Sequence, residues 1–111
     1  MIDLSFLQQF AKGDSRKMQR YIRMYLNTAP KILRKMEQCL QQEDWEQLRI
    51  HAHSLKPQTD YMGIAELKGV LVQIESEALQ GQPSHLAGLC RRALSINRQA
   101  SLLLRDALSD L

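Results

Sequence analysis

Apolar residues recur at intervals of three and four along most of this chain, in four long stretches that short polar breaks separate. The first long stretch runs from Met18 to Leu40, and the last runs from Leu86 to Ala107. This spacing places apolar side chains on one face of an α-helix, and no alternating run of β-branched residues predicts a strand. Each helix must bury its apolar face against another helix, so the pattern indicates an all-α protein.

The breaks carry residues that typically end or begin helices. A short first helix over Leu4 to Ala11 ends at Lys12-Gly13, and Asp14 or Ser15 would cap the next helix. The later breaks are Glu43-Asp44, Gly63 and the loop Gly81-Gln82-Pro83-Ser84, in which Ser84 would cap the last helix. Four long helices on short loops predict an up-down-up-down four-helix bundle with a short extra N-terminal helix. We expect a single domain over residues 1–111 and a monomer, since the apolar faces can cover one another.

Composition narrows the class of protein. The 111 residues are 44% hydrophobic and 24% charged, which favours a folded core over disorder. The net charge is +3, but Lys and Arg are scattered among Asp and Glu without interleaved aromatic residues, so we expect no nucleic-acid partner. No stretch predicts a membrane span or a signal peptide, which favours the cytoplasm. Cys39 and Cys90 have no ligand-like neighbours, and we expect buried reduced thiols and no metal site.

The helix that begins at Trp45 carries an exposed histidine. At about 100° per residue, its core-facing stripe consists of Trp45, Leu48, Ala52, Leu55, Thr59 and Met62. His53 falls about 130° from the centre of that stripe, so its ring should reach solvent. Lys56 follows three residues later, close enough to meet an anion on the ring. Because a neutral imidazole is a nucleophile near pH 7, the pair suits phosphoryl carriage.

Further residues on or beside the same helical face could complete this site. Arg49 would add positive charge, whereas Asp60 would oppose an anion and is not assigned to the site. Ile50 projects about 170° from the core stripe and is either a singly exposed apolar residue or, with Pro57, part of an apolar rim. Such a rim would dock a partner and help to exclude water from the phosphoryl group.

His53, Leu55, Lys56 and Gly63 match a family signature. They resemble the His-x-Leu-Lys signature, with its later glycine, of histidine-containing phosphotransfer (HPt) domains. The resemblance implies that His53 accepts a phosphoryl group from a receiver-domain aspartyl phosphate and passes it to another receiver aspartate. It also implies that Gly63 is the helix-end glycine, and we group Gly63 with Arg49, Ile50 and Pro57 as phosphate-stabilising or partner-docking residues.

Pro57 departs from the family pattern, which usually has Gly at this position. Proline removes one N–H and crowds the carbonyl of His53, so we expect a kink in this turn. A proline ring that points away leaves the imidazole accessible, whereas one that points inward would slow the transfer or restrict it to certain partners.

The resemblance also implies an orienting partner for the imidazole on the following helix, where the family often has Gln or Glu. Glu75 has the matching offset, with Gln73 as the lesser alternative; a solvated surface Glu75 is the other interpretation. Two further histidines are weaker candidates for phosphorylation. His51 projects to the edge of the core stripe, and His85 begins a helix.

These observations predict a phosphorelay intermediate whose partners are receiver domains of response regulators or hybrid histidine kinases. The resemblance implies that the receiver would supply the aspartate and a divalent metal, and the chain itself would need no cofactor. No glycine-rich nucleotide loop is present, so we expect a phosphoryl carrier without kinase activity. The alternative is a helical adaptor that binds a receiver or kinase through Ile50 and Pro57 without accepting phosphate.

Overall fold

Five helices make up the computed structural model, which describes residues 1–80 and 83–111. They are α1 (Ser5–Phe10), α2 (Ser15–Gln41), α3 (Trp45–Met62), α4 (Ala65–Ala78) and α5 (Pro83–Ser109). No strand occurs in the described ranges. The predicted all-α bundle with a short extra N-terminal helix is confirmed.

Side chains cap α2 and α3 where the sequence places them. The Asp14 carboxylate accepts hydrogen bonds from the backbone N–H groups of Arg16 and Lys17 at the start of α2. Asp44 accepts one from the Gln47 N–H at the start of α3. Each cap satisfies N–H groups that have no partner inside the helix. The starts of α2 and α3 are therefore determined locally.

The start of α5 differs from the prediction. Ser84 was expected to cap this helix, but it lies inside the first turn, which begins at Pro83. Proline suits a first helical turn because its φ is already helical and its missing N–H would have had no partner there. The Ser84 cap is therefore wrong, and Gly81 and Gln82 of the predicted loop lie outside the described residues.

The four long helices pack in a ring. Helix α2 contacts α3 and α5, and α4 contacts the same two helices, while α1 packs against α3. The α3–α4 edge and the α2–α5 edge therefore lie on opposite sides of the bundle. In α3 the buried residues are the predicted stripe from Leu48 to Met62, with Trp45 half-buried. Consecutive neighbours on short loops give the predicted up-down-up-down topology.

Two polar or titratable features lie inside this core. Tyr25 donates its hydroxyl to the Asn97 side-chain oxygen at 2.6 Å, which ties α2 to α5. Cys39 and Cys90 are buried free thiols, as expected, and burial raises the pKa of Cys90 to about 11. A buried thiol with a raised pKa is a poor nucleophile and acts as a small apolar residue.

No helix within the described ranges has the length and apolar character that a membrane span needs.

Candidate functional site

The α3–α4 hairpin brings a histidine and a carboxylate together. His53 lies eleven residues before Ile64 in the connection, and Glu75 lies eleven residues after it, so antiparallel packing places them at one level. Glu75 Oε2 is 3.0 Å from His53 Nδ1. The His53 side chain is 66% exposed, whereas Glu75 is 19% exposed. The ring therefore stands in solvent and is held from one side.

Glu75 also binds Lys56. The Lys56 ammonium lies 2.7 Å from Glu75 Oε1, as a close ion pair rather than an aligned hydrogen bond. Burial alone would raise the pKa of the Glu75 carboxyl, but the approach of Lys56 and His53 brings it below its usual value. Glu75 is therefore a carboxylate at neutral pH. One carboxylate therefore holds both the histidine and the lysine of the sequence signature.

The carboxylate selects which ring nitrogen can react. An ionised carboxylate only accepts hydrogen bonds, so His53 Nδ1 must carry the proton that faces Glu75. In the neutral ring the other nitrogen, Nε2, then holds the lone pair. With Nδ1 turned toward α4, Nε2 is the nitrogen available to an incoming electrophile.

A charged flank borders His53 on the α4 side. We use this name for Arg49, Lys56 and Asp60, which project about 20–60° from His53 in one direction around α3. The Arg49 guanidinium is 2.6 Å from Glu46 Oε1, one turn earlier, and Asp60 accepts from Lys68 at 2.8 Å. Arg49 lines the same shallow surface depression as Lys56 and Glu75. Of these three residues, Lys56 alone is tied to the His53–Glu75 pair.

An apolar flank borders His53 on the opposite side, toward α1 and α2. We use this name for Ile50, Pro57 and Tyr61, which project about 40–80° from His53. Ile50 is 40% exposed. Pro57 is also exposed, and α3 continues past it to Met62. The two residues thus lie on the surface beside the ring, as the predicted rim requires.

An aromatic cluster that was not predicted from the sequence extends this apolar flank. Tyr61 stacks on Tyr21 of α2 at 5.7 Å between ring centroids and meets Phe6 and Phe10 of α1 at 5.3 and 5.1 Å. Phe6 is 51% exposed, and a groove of about 290 Å³ opens beside the cluster between α2 and α3. Phe6 and Phe10 lie four residues apart, on one face of the short first helix, and this spacing was the available signal.

Gly63 ends the helix at a distance from the ring. It has φ 64° and ψ 37°, the left-handed conformation typical of glycine after a helix. A Cβ here would lie 1.9 Å from the Asp3 carbonyl oxygen, so glycine also admits the N-terminal segment. Ten residues of helix, about 15 Å, separate Gly63 from His53. Its contacts are those of a helix-end glycine.

The other candidate residues lie away from this pair. Gln73 is exposed on α4, and His51 is half-buried. His85 Nδ1 pairs with Glu77 across the α4–α5 connection. Among the described residues, no group of His, Cys, Asp and Glu is arranged to hold a metal ion.

The fold and the site define a class, all-α four-helix bundles with a solvent-exposed histidine at mid-helix. The family model of the Hpt domain matches residues 20–111. The chain therefore belongs to the Hpt domain family, whose members are phosphocarriers that work with receiver domains in two-component signalling.

Solved structures agree with this assignment of the fold. The chain is similar to histidine-containing phosphotransfer protein B (HptB) from Pseudomonas aeruginosa PAO1, with a TM-score of 0.91 and 20% identity over 99% of this chain and 96% of that chain. It is also similar to the HPT domain of the Hpt sensor hybrid histidine kinase from Shewanella, with a TM-score of 0.82 and 19% identity over 99% and 95% of the two chains. No curated protein sequence gives a significant match.

Proposed function

We propose that the protein is a phosphorelay intermediate in which His53 accepts a phosphoryl group from a receiver aspartyl phosphate and passes it to the aspartate of another receiver. The observation that carries this proposal is the 3.0 Å contact between His53 Nδ1 and Glu75 on a ring that is 66% exposed. In the neutral ring this contact leaves the lone pair on Nε2, the nitrogen that does not face Glu75. A nucleophile that is exposed on the surface of a helix suits attack on a phosphoryl group that another protein presents.

The transfer balances without a proton leaving the ring. The Nε2 lone pair forms a bond to phosphorus, the bond from phosphorus to the receiver carboxylate oxygen breaks, and that carboxylate departs as an anion. The proton stays on Nδ1, so the phosphorylated imidazole ring is cationic. The ionised Glu75 faces this new charge and stabilises it. Transfer to a second receiver is the same step reversed.

Lys56 is the proposed stabiliser of the phosphoryl group. Its ammonium already lies at Glu75 Oε1, on the carboxylate that holds His53. A rotation of the flexible side chain would bring it toward a phosphoryl group on Nε2. Arg49 would join only after leaving Glu46, so we assign it a smaller share. Both cations would offset the negative charge of the phosphoryl oxygens.

The apolar flank is the proposed docking surface for the receiver. Ile50 and Pro57 would cover the rim of the receiver's phosphorylation site and exclude water during transfer. The aromatic cluster around Tyr61 adds side chains of the type that supplies much of the binding energy in protein interfaces. The receiver would supply the aspartate and its divalent metal. We propose a carrier without kinase activity of its own, and the cytoplasmic location stays a prediction.

The test is phosphoryl transfer from a phosphorylated receiver domain to the purified full chain, with intact protein, His53→Gln and His51→Gln compared. His51 is the matched control because it lies two residues away on the same helix and is half-buried. We expect acid-labile phosphate on the intact chain and on His51→Gln, and none on His53→Gln. Unlabelled intact protein that still binds several receivers would overturn the carrier function and favour the adaptor.

A further inference from the structure

The fold separates charges that the sequence mixes. Helices α2 and α5 carry eleven of the 15 basic residues and two of the 12 acidic ones, whereas the rest of the chain carries four basic and ten acidic residues. These two helices pack against each other, on the edge opposite the His53 site. Basic residues are thus concentrated on two neighbouring helices. Their field attracts acidic partners.

A groove between α2 and α5 concentrates this charge. It has a volume of about 490 Å³ and is bordered by Arg34 of α2 and by Arg98 and Arg105 of α5. In the part of the chain that the structure describes, none of these three arginines pairs with a carboxylate, although Arg49 and Arg92 do. Three guanidinium groups are therefore available to acceptors from outside.

The floor of the groove is partly apolar. Leu94 and Leu102 line it together with Pro30, and Leu102 is 62% exposed. Asn97 and Ser101 add buried polar groups, and Glu37 is the one acidic residue among the described residues that line the groove. Arginine beside exposed leucine is a composition typical of protein interfaces. Within ranges 1–80 and 83–111, no aromatic side chain lines the groove, whereas single-stranded nucleic acid is usually held by aromatic stacking.

We propose that the α2–α5 groove binds an acidic, amphipathic segment of a partner protein. Carboxylates of that segment would meet Arg34, Arg98 and Arg105, and its apolar side chains would cover Leu94 and Leu102. Because the groove lies on the edge opposite α3 and α4, the segment would hold the protein while His53 stays open to receivers. This proposal does not rest on phosphoryl transfer.

The probe is a fluorescein-labelled helical peptide of about 18 residues, five turns, with leucine on one face and glutamate beside it. Fluorescence anisotropy would measure its binding to the full chain. A second peptide with glutamine for each glutamate tests the charge, and a single-stranded oligonucleotide of similar length tests the nucleic-acid alternative.

Two double variants separate the groove from net charge. Arg34→Gln with Arg98→Gln removes two groove cations, and Arg91→Gln with Arg92→Gln removes two exposed cations outside it. We expect the groove variant and the glutamine peptide each to weaken binding about tenfold, with less than about a twofold change in the control. Unchanged melting temperatures would show that all the variants fold.

The opposite results are equally definite. An equal loss in both double variants would reduce the effect to net charge, and equal binding of the glutamine peptide would remove the role of the carboxylates. An oligonucleotide that binds more tightly than the acidic peptide, and loses binding in the groove variant, would assign the groove to nucleic acid. Each of these outcomes, or no binding at low salt, overturns the proposal.

Discussion

Replacing Gly63 by alanine should destabilise the protein strongly, although it adds one methyl group. An L residue in the left-handed conformation costs about 1–2 kcal/mol. The new Cβ would lie 1.9 Å from the Asp3 carbonyl oxygen and 2.5 Å from the Asp3 nitrogen, so it collides with backbone rather than with a flexible side chain. Residues 1–4 must therefore move away from the end of α3.

Moving residues 1–4 adds two further losses. The hydrogen bond that the Met62 carbonyl accepts from this segment, at 3.3 Å, is worth about 0.5–1.5 kcal/mol. Half-buried Ile2 and Leu4 lose part of their contact with the core, at about 1 kcal/mol together. Together with the cost of the strained backbone at residue 63, these two losses should lower the free energy of unfolding by about 3 kcal/mol. At about 4 °C for each kcal/mol, the melting temperature should fall by about 12 °C.

The matched control is the same substitution at Gly69. This residue lies inside α4, and a Cβ there meets nothing within 4 Å. Alanine is the better helix former, so Gly69→Ala should stabilise the protein by about 0.5–1 kcal/mol. Urea unfolding followed by circular dichroism measures both variants. A loss below about 1 kcal/mol in Gly63→Ala, or the same sign in both variants, would refute this reasoning.

The Gly63 variant also separates structure from docking. Gly63 is predicted among the phosphate-stabilising or partner-docking residues, whereas its contacts are with the N-terminal segment. At a temperature where Gly63→Ala remains folded, we expect phosphoryl transfer to His53 at close to the normal rate. A folded variant that binds receiver much more weakly would show that Gly63 belongs to the docking surface.

Three further predictions follow from single contacts. Tyr25→Phe should lower the free energy of unfolding by about 1–3 kcal/mol in urea titrations, because it leaves the buried Asn97 oxygen without its donor; an unchanged midpoint would contradict this. Glu75→Gln should destabilise at neutral pH. Because the pKa of Glu75 is lowered in the folded state, its ionised carboxylate stabilises the protein at pH values above the ordinary pKa of 4.5. This stability is lost as the pH falls through the folded-state pKa, so the urea midpoints of the intact protein and of the variant should converge in acid and not in base. Pro57→Ala restores an N–H that can donate to the His53 carbonyl and should raise the free energy of unfolding by about 1–3 kcal/mol, while a loss in thermal melts would show that the proline is needed.

Local chemistry made much of the fold predictable. Caps such as Asp14 and Asp44 satisfy N–H groups two or three residues away, so these caps can be predicted from residues within one helical turn. The exposure of His53 follows from the period of the helix alone. The exception is Ser84, where the expected cap lies inside a helix that begins at Pro83, because a proline can itself open the first turn.

Long-range packing decided the rest of the site. The offset of Glu75 came from a family resemblance, and only the α3–α4 hairpin shows that its carboxylate binds Lys56 as well as His53. The contact between Tyr61 and α1 joins residues far apart in sequence, so periodicity within one helix could not reveal it.

The sequence by itself determined where the helices lie, which face of each is buried, and that His53 is exposed with Lys56 one turn away. These properties depend on neighbours within a few residues along a regular helix. The tertiary structure alone decided that one carboxylate holds both residues and that Arg34, Arg98 and Arg105 border one groove between α2 and α5. Both depend on which helices become neighbours. Apolar faces of similar composition can pack against one another in several ways, so the residues of one helix do not specify its neighbours.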